Sequence, residues 1–192
     1  MICAVKKPNI KKSKKIEREA ENYFHLLKEE YPFISRYCGY FETYNEKWLF
    51  IEYIEGRSLD LYDLKLLSLE DKYDMIFELL LTIRHLHSHG YIYQDMKYNN
   101  IIINANKDAI LIDFDRLIKY EDRNESETID FDCISIAPEI HKTYKSDIYS
   151  LGYIICYILY EKNCEYRTQE CIDPLFKSCL KDDPAQRPDI SE

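Results

Sequence analysis

Residues 91–115 read YIYQDMKYNNIIINANKDAILIDFD, and the rest of the chain is organised around the polar residues of this stretch. Asp95 is followed two residues later by Lys97 and five residues later by Asn100. After a short apolar run comes a second isolated carboxylate, Asp113. An acid, a cation and an amide at this spacing, with a further acid closing an apolar hairpin, form a set of groups suited to phosphate and a divalent metal ion.

The composition is that of an ordinary globular protein, and it excludes several classes of function. The net charge of −9 over 192 residues argues against a general nucleic-acid-binding or membrane-binding surface. The longest apolar run, residues 151–160, is too short to span a bilayer. Seven scattered cysteines without a CxxC pair argue against a zinc site or a disulfide framework. No signal peptide is visible, so we expect the cytosol or the nucleus.

The first part of the chain is predicted to be a small sheet with one helix. Residues 2–6 indicate a strand that ends on a lysine, and residues 33–44 and 47–53 indicate two more strands. Between them, residues 9–30 have helical periodicity, with one apolar face formed by Ile16, Ala20, Tyr23, Phe24 and Leu27.

The second part is predicted to be mainly helical, and residues 55–58 resemble a hinge before it. A short helix is expected at 59–67 and a long one at 69–89, with Ser68 as N-cap and Asp71 in a near capping box. The predicted apolar face of the long helix consists of Tyr73, Ile76, Phe77, Leu80, Ile83 and His87. His85, His87 and His89 do not favour a metal site, because residues two apart on a helix do not share a face.

Further along, two short strands are predicted at 100–103 and 109–112, around a turn. Residues 116–136 are polar and acidic, as in a surface loop. Residues 145–161 are apolar all round, which predicts a helix buried in the centre of the protein. A last helix is expected at 173–181.

Several separated motifs occur in an order that is familiar from one family. They are residues 4–6 (AVK), 51–54 (IEYI), 93–100 (YQDMKYNN), 113–115 (DFD), 137–139 (APE), Asp147 and 187–188 (RP). In this order the chain resembles a eukaryotic protein kinase domain of the serine/threonine type, over nearly its whole length.

The resemblance implies an α+β fold with two lobes in one protein kinase-like domain, residues 1–192. Residues 1–54 would form a reduced, β-rich N-lobe that lacks the glycine-rich hairpin. Residues 55–192 would form a mainly α-helical C-lobe, with ATP bound between the two.

The resemblance also assigns expected roles to the polar residues. Asp95 would orient the substrate hydroxyl and accept its proton, and Lys97 would neutralise the γ-phosphate. Asn100 and Asp113 would hold magnesium ions, and Lys6 would hold the α- and β-phosphates.

The remaining nucleotide contacts are expected from apolar and backbone groups. The backbone near Glu52 and Ile54 would bind adenine, and Ala4 and Ile102 are the other candidate nucleotide contacts. Lys6 also needs a carboxylate partner from the first helix. Glu21 fits best on spacing, with Glu17 and Glu19 as near alternatives.

The chain departs from the family pattern at the site itself. Only five residues precede Lys6, so either the gene model begins late or the protein is a natural fragment. Asp115 replaces a glycine; the expected consequences are backbone strain of about 1–2 kcal/mol and a third carboxylate that repels phosphate or recruits metal. Gln94 replaces an arginine, so we expect that phosphorylation of Ser126 or Thr128 is not the activating switch.

These observations lead to a first hypothesis and two alternatives. The first is a protein serine/threonine kinase that uses ATP and magnesium and acts on a protein substrate or signalling partner. The second is a pseudokinase or kinase fragment that binds nucleotide or protein without transferring phosphate. The third is a small-molecule kinase of the same fold. Neither nucleic acid nor membrane is expected as a partner.

Overall fold

The computed structural model describes residues 2–7, 13–26, 31, 33–44, 46–122, 137–139, 142–161 and 173–190. The ends of the predicted first helix, including Leu27, lie outside these ranges, as do Ser126 and Thr128. The described part combines small antiparallel sheets with helices, so the predicted α+β class is confirmed.

The first sheet has three antiparallel strands and is covered by one helix. Strands β1 (Cys3–Lys6), β2 (Tyr37–Glu42) and β3 (Lys47–Glu52) lie in the order β1-β3-β2. Helix α1 (Ser13–Leu26) contributes buried residues at helical spacing, which are Ile16, Ala20, Tyr23 and Leu26. The prediction that Phe24 belongs to this face is wrong, since its side chain is 59% exposed. It lies one residue beyond Tyr23, about 100° further round the helix.

Helix α2 (Leu69–Ser88) begins at the predicted capping box. The Ser68 amide donates to Asp71 Oδ2 at 2.8 Å, and the Asp71 amide donates to Ser68 Oγ at 3.1 Å. Both bonds satisfy backbone donors that the first helical turn cannot pair internally. The helix ends at His89, and Gly90 follows with φ +79°.

The buried face of α2 differs from the prediction. It is formed by Met75, Ile76, Leu79, Thr82, Ile83 and Leu86. Tyr73 and Phe77 were expected on this face, but they are 51% and 60% exposed. The helix packs on the strand Ala109–Leu111 and on the helix Tyr144–Tyr160. Its buried side includes Leu79, and Tyr73 and Phe77 lie on the solvent side.

The expected hinge at 55–58 contains a strand. Strand β4 (Gly56–Ser58) pairs with β6 (Ile101–Asn104), which pairs in turn with β7 (Ala109–Leu111). A side chain at Gly56 would place its Cβ 2.2 Å from the carbonyl oxygen of Ile103, so glycine is required there. The expected helix at 59–67 is reduced to a 3₁₀ turn at Leu64–Leu66.

A two-stranded ladder and two further helices complete the described part. Strands β5 (Tyr91–Ile92) and β8 (Ile118–Lys119) pair with each other. Helix α3 (Tyr144–Tyr160) is buried on nearly all sides, as predicted, and α4 (Pro174–Cys179) packs against it. Among the described helices, none has the length and apolar content needed to cross a bilayer.

Candidate functional site

Asp95 is the centre of a buried hydrogen-bonded cluster between β5 and β6. Its Oδ2 accepts from Lys97 Nζ at 2.8 Å and from Asn100 Nδ2 at 2.8 Å. Asn100 Nδ2 also reaches the carbonyl oxygen of Asp95 at 2.9 Å, which fixes the loop between the two residues. Asp95 is 8% exposed and Asn100 4% exposed, so both are held in defined positions. The structure thus brings together three of the predicted site residues.

A buried carboxylate from α3 supports this loop from below. Asp147 accepts the backbone N–H of Tyr93 at 2.8 Å and that of Gln94 at 2.9 Å, and it also contacts His87 Nε2 at 2.9 Å. Gln94 has φ 66°, a conformation that costs free energy for a residue with a side chain. The two bonds to Asp147 hold the backbone there, immediately before Asp95.

Lys6 joins the first sheet to the second carboxylate of the site. Its Nζ lies 2.6 Å from Glu19 Oε1 and 3.0 Å from Asp113 Oδ1. The prediction that Glu21 is the partner of Lys6 is wrong. Glu21 is exposed, because it lies two residues further along α1 and therefore on another face. The alternative carboxylate Glu17 pairs with Lys47 instead.

The charges in this group alter one another's ionisation. Burial alone would lower the pKa of Lys6, but the attraction of Glu19 and Asp113 is larger in sum and raises that pKa. Burial also raises the pKa of Glu19, and the neighbouring Lys6 opposes this effect only in part. Lys6 is therefore held as a cation between two acids.

Phe114 anchors the segment after Asp113 in the core. Its ring packs edge-on against Tyr23 of α1 at 5.1 Å and against Tyr93 at 5.4 Å between centroids. The Tyr93 hydroxyl donates to the carbonyl oxygen of Ile112 at 2.6 Å. Burial raises the pKa of Tyr93 well above its usual value, so this phenol remains a hydrogen-bond donor. The aromatic packing fixes the backbone on both sides of Asp113.

Helix α1 also binds the same segment through its polar face. Asn22 Nδ2 donates to the carbonyl oxygens of Phe114 at 2.8 Å and Leu117 at 3.0 Å. Arg18 Nε donates to the carbonyl oxygen of Asp115 at 2.7 Å. These contacts were not predicted, although a polar stripe at spacings of three and four along α1 is a signal that could have indicated them.

Asp115, at the position of the expected glycine, does not have the strained backbone that was predicted. Among the described residues the non-glycine positions with positive φ are Gln94, Lys107, Asp113 and Glu161, so the left-handed conformation falls on Asp113 itself. The carboxylate of Asp115 lies 3.4 Å from Lys15 Nζ, which offsets its charge.

Three carboxylates converge at this point of the structure. Asp95, Asp113 and Asp115 each offer an oxygen within 4.8 Å of the others. Oxygen donors of this kind are the ligands that Mg²⁺ prefers. Asn100 binds Asp95 through its Nδ2, so its amide oxygen is left as a further ligand for a metal ion. The residues present therefore fit a magnesium ion.

The match to known proteins agrees with this geometry. A family model described as "Protein kinase domain" matches residues 1–172. The chain belongs to the protein kinase family.

Several relatives of this kinase domain are named serine/threonine kinases. Serine/threonine-protein kinase RUNKEL of Arabidopsis thaliana is 30% identical over 66% of this chain and 10% of its own length. Serine/threonine-protein kinase SMU1 of Mycosarcoma maydis is 27% identical over 90% of this chain and 24% of its own length. Serine/threonine-protein kinase D of Synechocystis is 31% identical over 78% of this chain and 31% of its own length. The kinase domain thus spans less than a third of each of these relatives.

The expected nucleotide contacts of the kinase lie in β1, at and just after the end of the middle strand β3, and in β6. Ala4 is half-buried in β1 opposite Ile51, two residues before Lys6. Glu52 ends β3, and its carboxylate binds Arg36 at 2.9 and 3.1 Å, so its side chain is occupied in a structural pair. The predicted roles of Ala4, of the backbone near Glu52 and Ile54, and of half-buried Ile102 in β6 remain predictions.

Glu139 of the APE motif and Arg187 of the RP motif form a buried ion pair. Arg187 donates to Glu139 Oε1 at 2.7 Å and to Oε2 at 2.8 Å, and the arginine side chain is fully buried. Ser146 of α3 donates to the same Glu139 Oε1 at 2.9 Å. The pair and Ser146 therefore connect three separate parts of the kinase chain.

Proposed function

We propose that this chain catalyses the magnesium- and ATP-dependent transfer of a phosphoryl group to serine or threonine hydroxyls of proteins. The observation that carries the proposal is the position of Lys6, which contacts both Glu19 and Asp113. Such a contact places a cation from the sheet beside the carboxylate of the predicted metal site, as positioning of the nucleotide phosphates requires. The serine/threonine kinases among the relatives support the choice of hydroxyl.

The residues around Asp95 suit the acceptance of a proton from a hydroxyl. Asp95 Oδ2 is occupied by Lys97 and Asn100, whereas Oδ1 lies 3.8 Å from Arg116 Nε. Oδ1 is therefore the oxygen that would orient the substrate hydroxyl and take its proton. Lys97 would balance the negative charge that develops on the transferred group.

The nucleotide phosphates would be positioned by Lys6, which Glu19 holds in place. Asp113, Asn100 and Asp115 would hold magnesium, which supplies charge neutralisation at the phosphates when bound. The predicted lobes, residues 1–54 and 55–192, would enclose ATP between them. From the scattered, unpaired cysteines we further propose the cytosol or the nucleus as the compartment.

A second candidate function is nucleotide binding without transfer, as in a pseudokinase. Asp115 favours it, because a third acid within 4.8 Å of Asp95 and Asp113 adds negative charge where phosphates would lie. The contact between Asp115 and Lys15 reduces this charge but leaves the carboxylate in the cluster.

The test combines nucleotide binding with phosphate transfer. Melting of the purified chain is followed with MgCl₂ alone, with ATP alone and with both together. Transfer from γ-labelled ATP to casein is then measured, and the labelled amino acid is identified. We expect a rise in melting temperature with Mg·ATP and label on serine or threonine. Asp95→Asn should lower the transfer rate about a hundredfold or more without removing the thermal shift.

The remaining outcomes distinguish the two candidates. A thermal shift that Asp113→Asn removes, without transfer, would establish the nucleotide-binding module instead. Asp115→Gly should then restore measurable transfer if the third acid is the cause. If Mg·ATP causes no thermal shift and no phosphate is transferred, both candidates are overturned.

A further inference from the structure

Helix α2 carries an exposed apolar stripe that the fold does not use. Leu69, Tyr73 and Phe77 are 62%, 51% and 60% exposed, although each is a large apolar side chain. They are spaced four residues apart, so they follow one side of the helix over about 12 Å. Single exposed apolar residues are common on surfaces, whereas apolar side chains that follow one side of a helix together offer a surface of the kind that binds partners.

An acidic stripe runs beside this apolar stripe. Glu70 directly follows Leu69, and Asp74 directly follows Tyr73, so each acid lies about 100° round the helix from its apolar neighbour. Both acids are exposed. The two stripes together form a surface that is apolar on one side and negative on the other.

The neighbouring acids of α2 do not add to this exposed charge. Asp71 is bound by Lys107 Nζ at 2.7 Å and by Ser68, so its charge is offset. Glu78 follows Phe77 in the same pattern, but it is half-buried and accepts the backbone N–H of Ala109 at 2.6 Å. The negative character is therefore concentrated in the first two turns.

The other end of the stripe has the opposite charge. Arg84 is exposed and lies seven residues after Phe77, on the same side of the helix. A partner that lies along the stripe therefore meets acids at one end and a base at the other, which gives it a preferred direction.

We propose that the stripes of α2 bind a basic amphipathic helix of a partner protein. Large apolar side chains of the partner would cover Leu69, Tyr73 and Phe77, and its lysines or arginines would pair with Glu70 and Asp74. A second copy of this chain suits the surface less well, because it would offer a single base, Arg84, to the two acids of the first. This binding does not depend on phosphoryl transfer, since none of the stripe residues belongs to the candidate active site.

The probe is a fluorescein-labelled helical peptide with leucine at heptad positions a and d and lysine at e and g. The lysines keep the peptide from pairing with itself. Two control peptides replace either the e and g lysines with glutamate or the leucines with serine. We expect fluorescence anisotropy to show binding of the basic peptide alone, weakened by added salt.

Variants of the chain then locate the contact. Tyr73→Ser with Phe77→Ser should weaken binding at least about tenfold. Phe41→Ser with Tyr44→Ser, which removes two exposed rings from β2 and the turn after it, should not. Glu70→Lys with Asp74→Lys should abolish binding of the basic peptide and create binding of the glutamate peptide. Glu55→Lys with Asp122→Lys is the matched charge control.

The gain of binding by the charge-reversed variant also proves that this variant is folded. Equal binding of all three peptides, or no effect of the α2 variants, would overturn the proposal. A dimer detected by analytical ultracentrifugation would also overturn the proposal if Tyr73→Ser with Phe77→Ser dissociates it, because the stripe would then bind a second copy of the chain.

Discussion

At the scale of single residues, the environment of Lys6 depends on which glutamate of α1 points inward. Glu19 is buried and lies 2.6 Å from Lys6, whereas Glu21 is exposed. Glu19 also accepts the backbone N–H of Phe114 at 3.3 Å, so one carboxylate connects the sheet, the helix and the segment after Asp113. The position of Lys6 in the site is thus set by a single side chain of α1.

Replacement of Glu19 therefore tests the proposed activity at this scale. Glu19→Gln should reduce phosphate transfer about a hundredfold, because the lysine loses the charge that positions it. Glu21→Gln is the matched control and should transfer phosphate at the parent rate. The two variants are compared with labelled ATP at saturating magnesium. Equal losses in both would show that Glu19 does not position Lys6.

Glu78 is a second residue whose ionisation the fold changes. Burial raises its pKa from 4.5 to about 7, and the nearby Asp108 and Asp74 act in the same direction, whereas its bond to the Ala109 amide opposes them. Between these two pH values the folded state binds more protons than the unfolded state. The free energy of unfolding therefore falls as the pH rises through this window.

Replacement of Glu78 by glutamine should remove that pH dependence. At pH 8 the free energy of unfolding of Glu78→Gln should be about 1 kcal/mol higher than that of the parent. This value is reduced because the side chain is partly exposed and its charge is screened. The corresponding rise in melting temperature is about 2–4 °C. Near pH 4.5 the variant and the parent should have the same melting temperature. Glu55→Gln, at an exposed site, should match the parent at both pH values. A stabilisation that persists at low pH would contradict this explanation.

At the scale of elements, α1 is held to the segment after Asp113 by side chains that bind backbone carbonyls. Asn22 supplies two of these bonds and Arg18 a third. Because the same helix carries Glu19, displacement of α1 would move the partner of Lys6 as well. The contacts of Asn22 and Arg18 thus hold α1, and with it Glu19, in the position that the geometry of the site requires.

Removal of the Asn22 amide should lower the free energy of unfolding. Asn22→Ala removes the side-chain donor to the carbonyl oxygen of Leu117 and one of the two donors to that of Phe114, which also accepts the Leu117 N–H; the loss costs about 1–3 kcal/mol. The free energy of unfolding is measured by urea denaturation. Asn106→Ala, in the exposed turn between β6 and β7, is the control and should stay within about 0.5 kcal/mol of the parent. If both variants unfold alike, α1 is not held through Asn22.

At the scale of the whole molecule, Arg187 connects the last described segment to the rest of the protein. Besides Glu139, it donates to the carbonyl oxygens of Lys181 at 2.7 Å, Lys145 at 2.8 Å and Asp182 at 3.2 Å. The Arg187 side chain is buried and its hydrogen bonds are satisfied, so removal of one partner leaves a charge without compensation.

Single and double replacements should separate the charge from the packing. Arg187→Met should lower the free energy of unfolding by about 3–5 kcal/mol, because Glu139 loses its counter-charge. The double variant Arg187→Met with Glu139→Gln should recover part of this loss. Both are measured by guanidinium denaturation, with Arg57→Lys on the surface as control. A double variant no more stable than the single one would assign the loss to packing alone.

Much of this protein could be predicted because the deciding signals are local in sequence. The spacing of Asp95, Lys97 and Asn100 on one short loop predicted a cluster, and the capping box of Ser68 and Asp71 predicted where α2 begins. Such features depend on neighbouring residues in the chain. The buried character of α3 was equally visible from its composition.

Other features depend on how distant elements pack, and the sequence left them open. Three glutamates of α1 satisfied the spacing to Lys6, and only the rotation of the helix against the first sheet buried Glu19. The apolar residues of α2 occupy more of the helix surface than one buried face needs. Packing against β7 and α3 decided which of these residues are buried.

The sequence alone therefore determined the family, the helices and strands around the site, and the polar groups that the site contains. Only the tertiary structure decided that Glu19 partners Lys6, that Asp113 rather than Asp115 carries the strained backbone, and that Tyr73 and Phe77 face solvent. The physical reason is that residue types and spacing specify which groups an element presents. The rotation and register of that element are set by the surfaces it packs against.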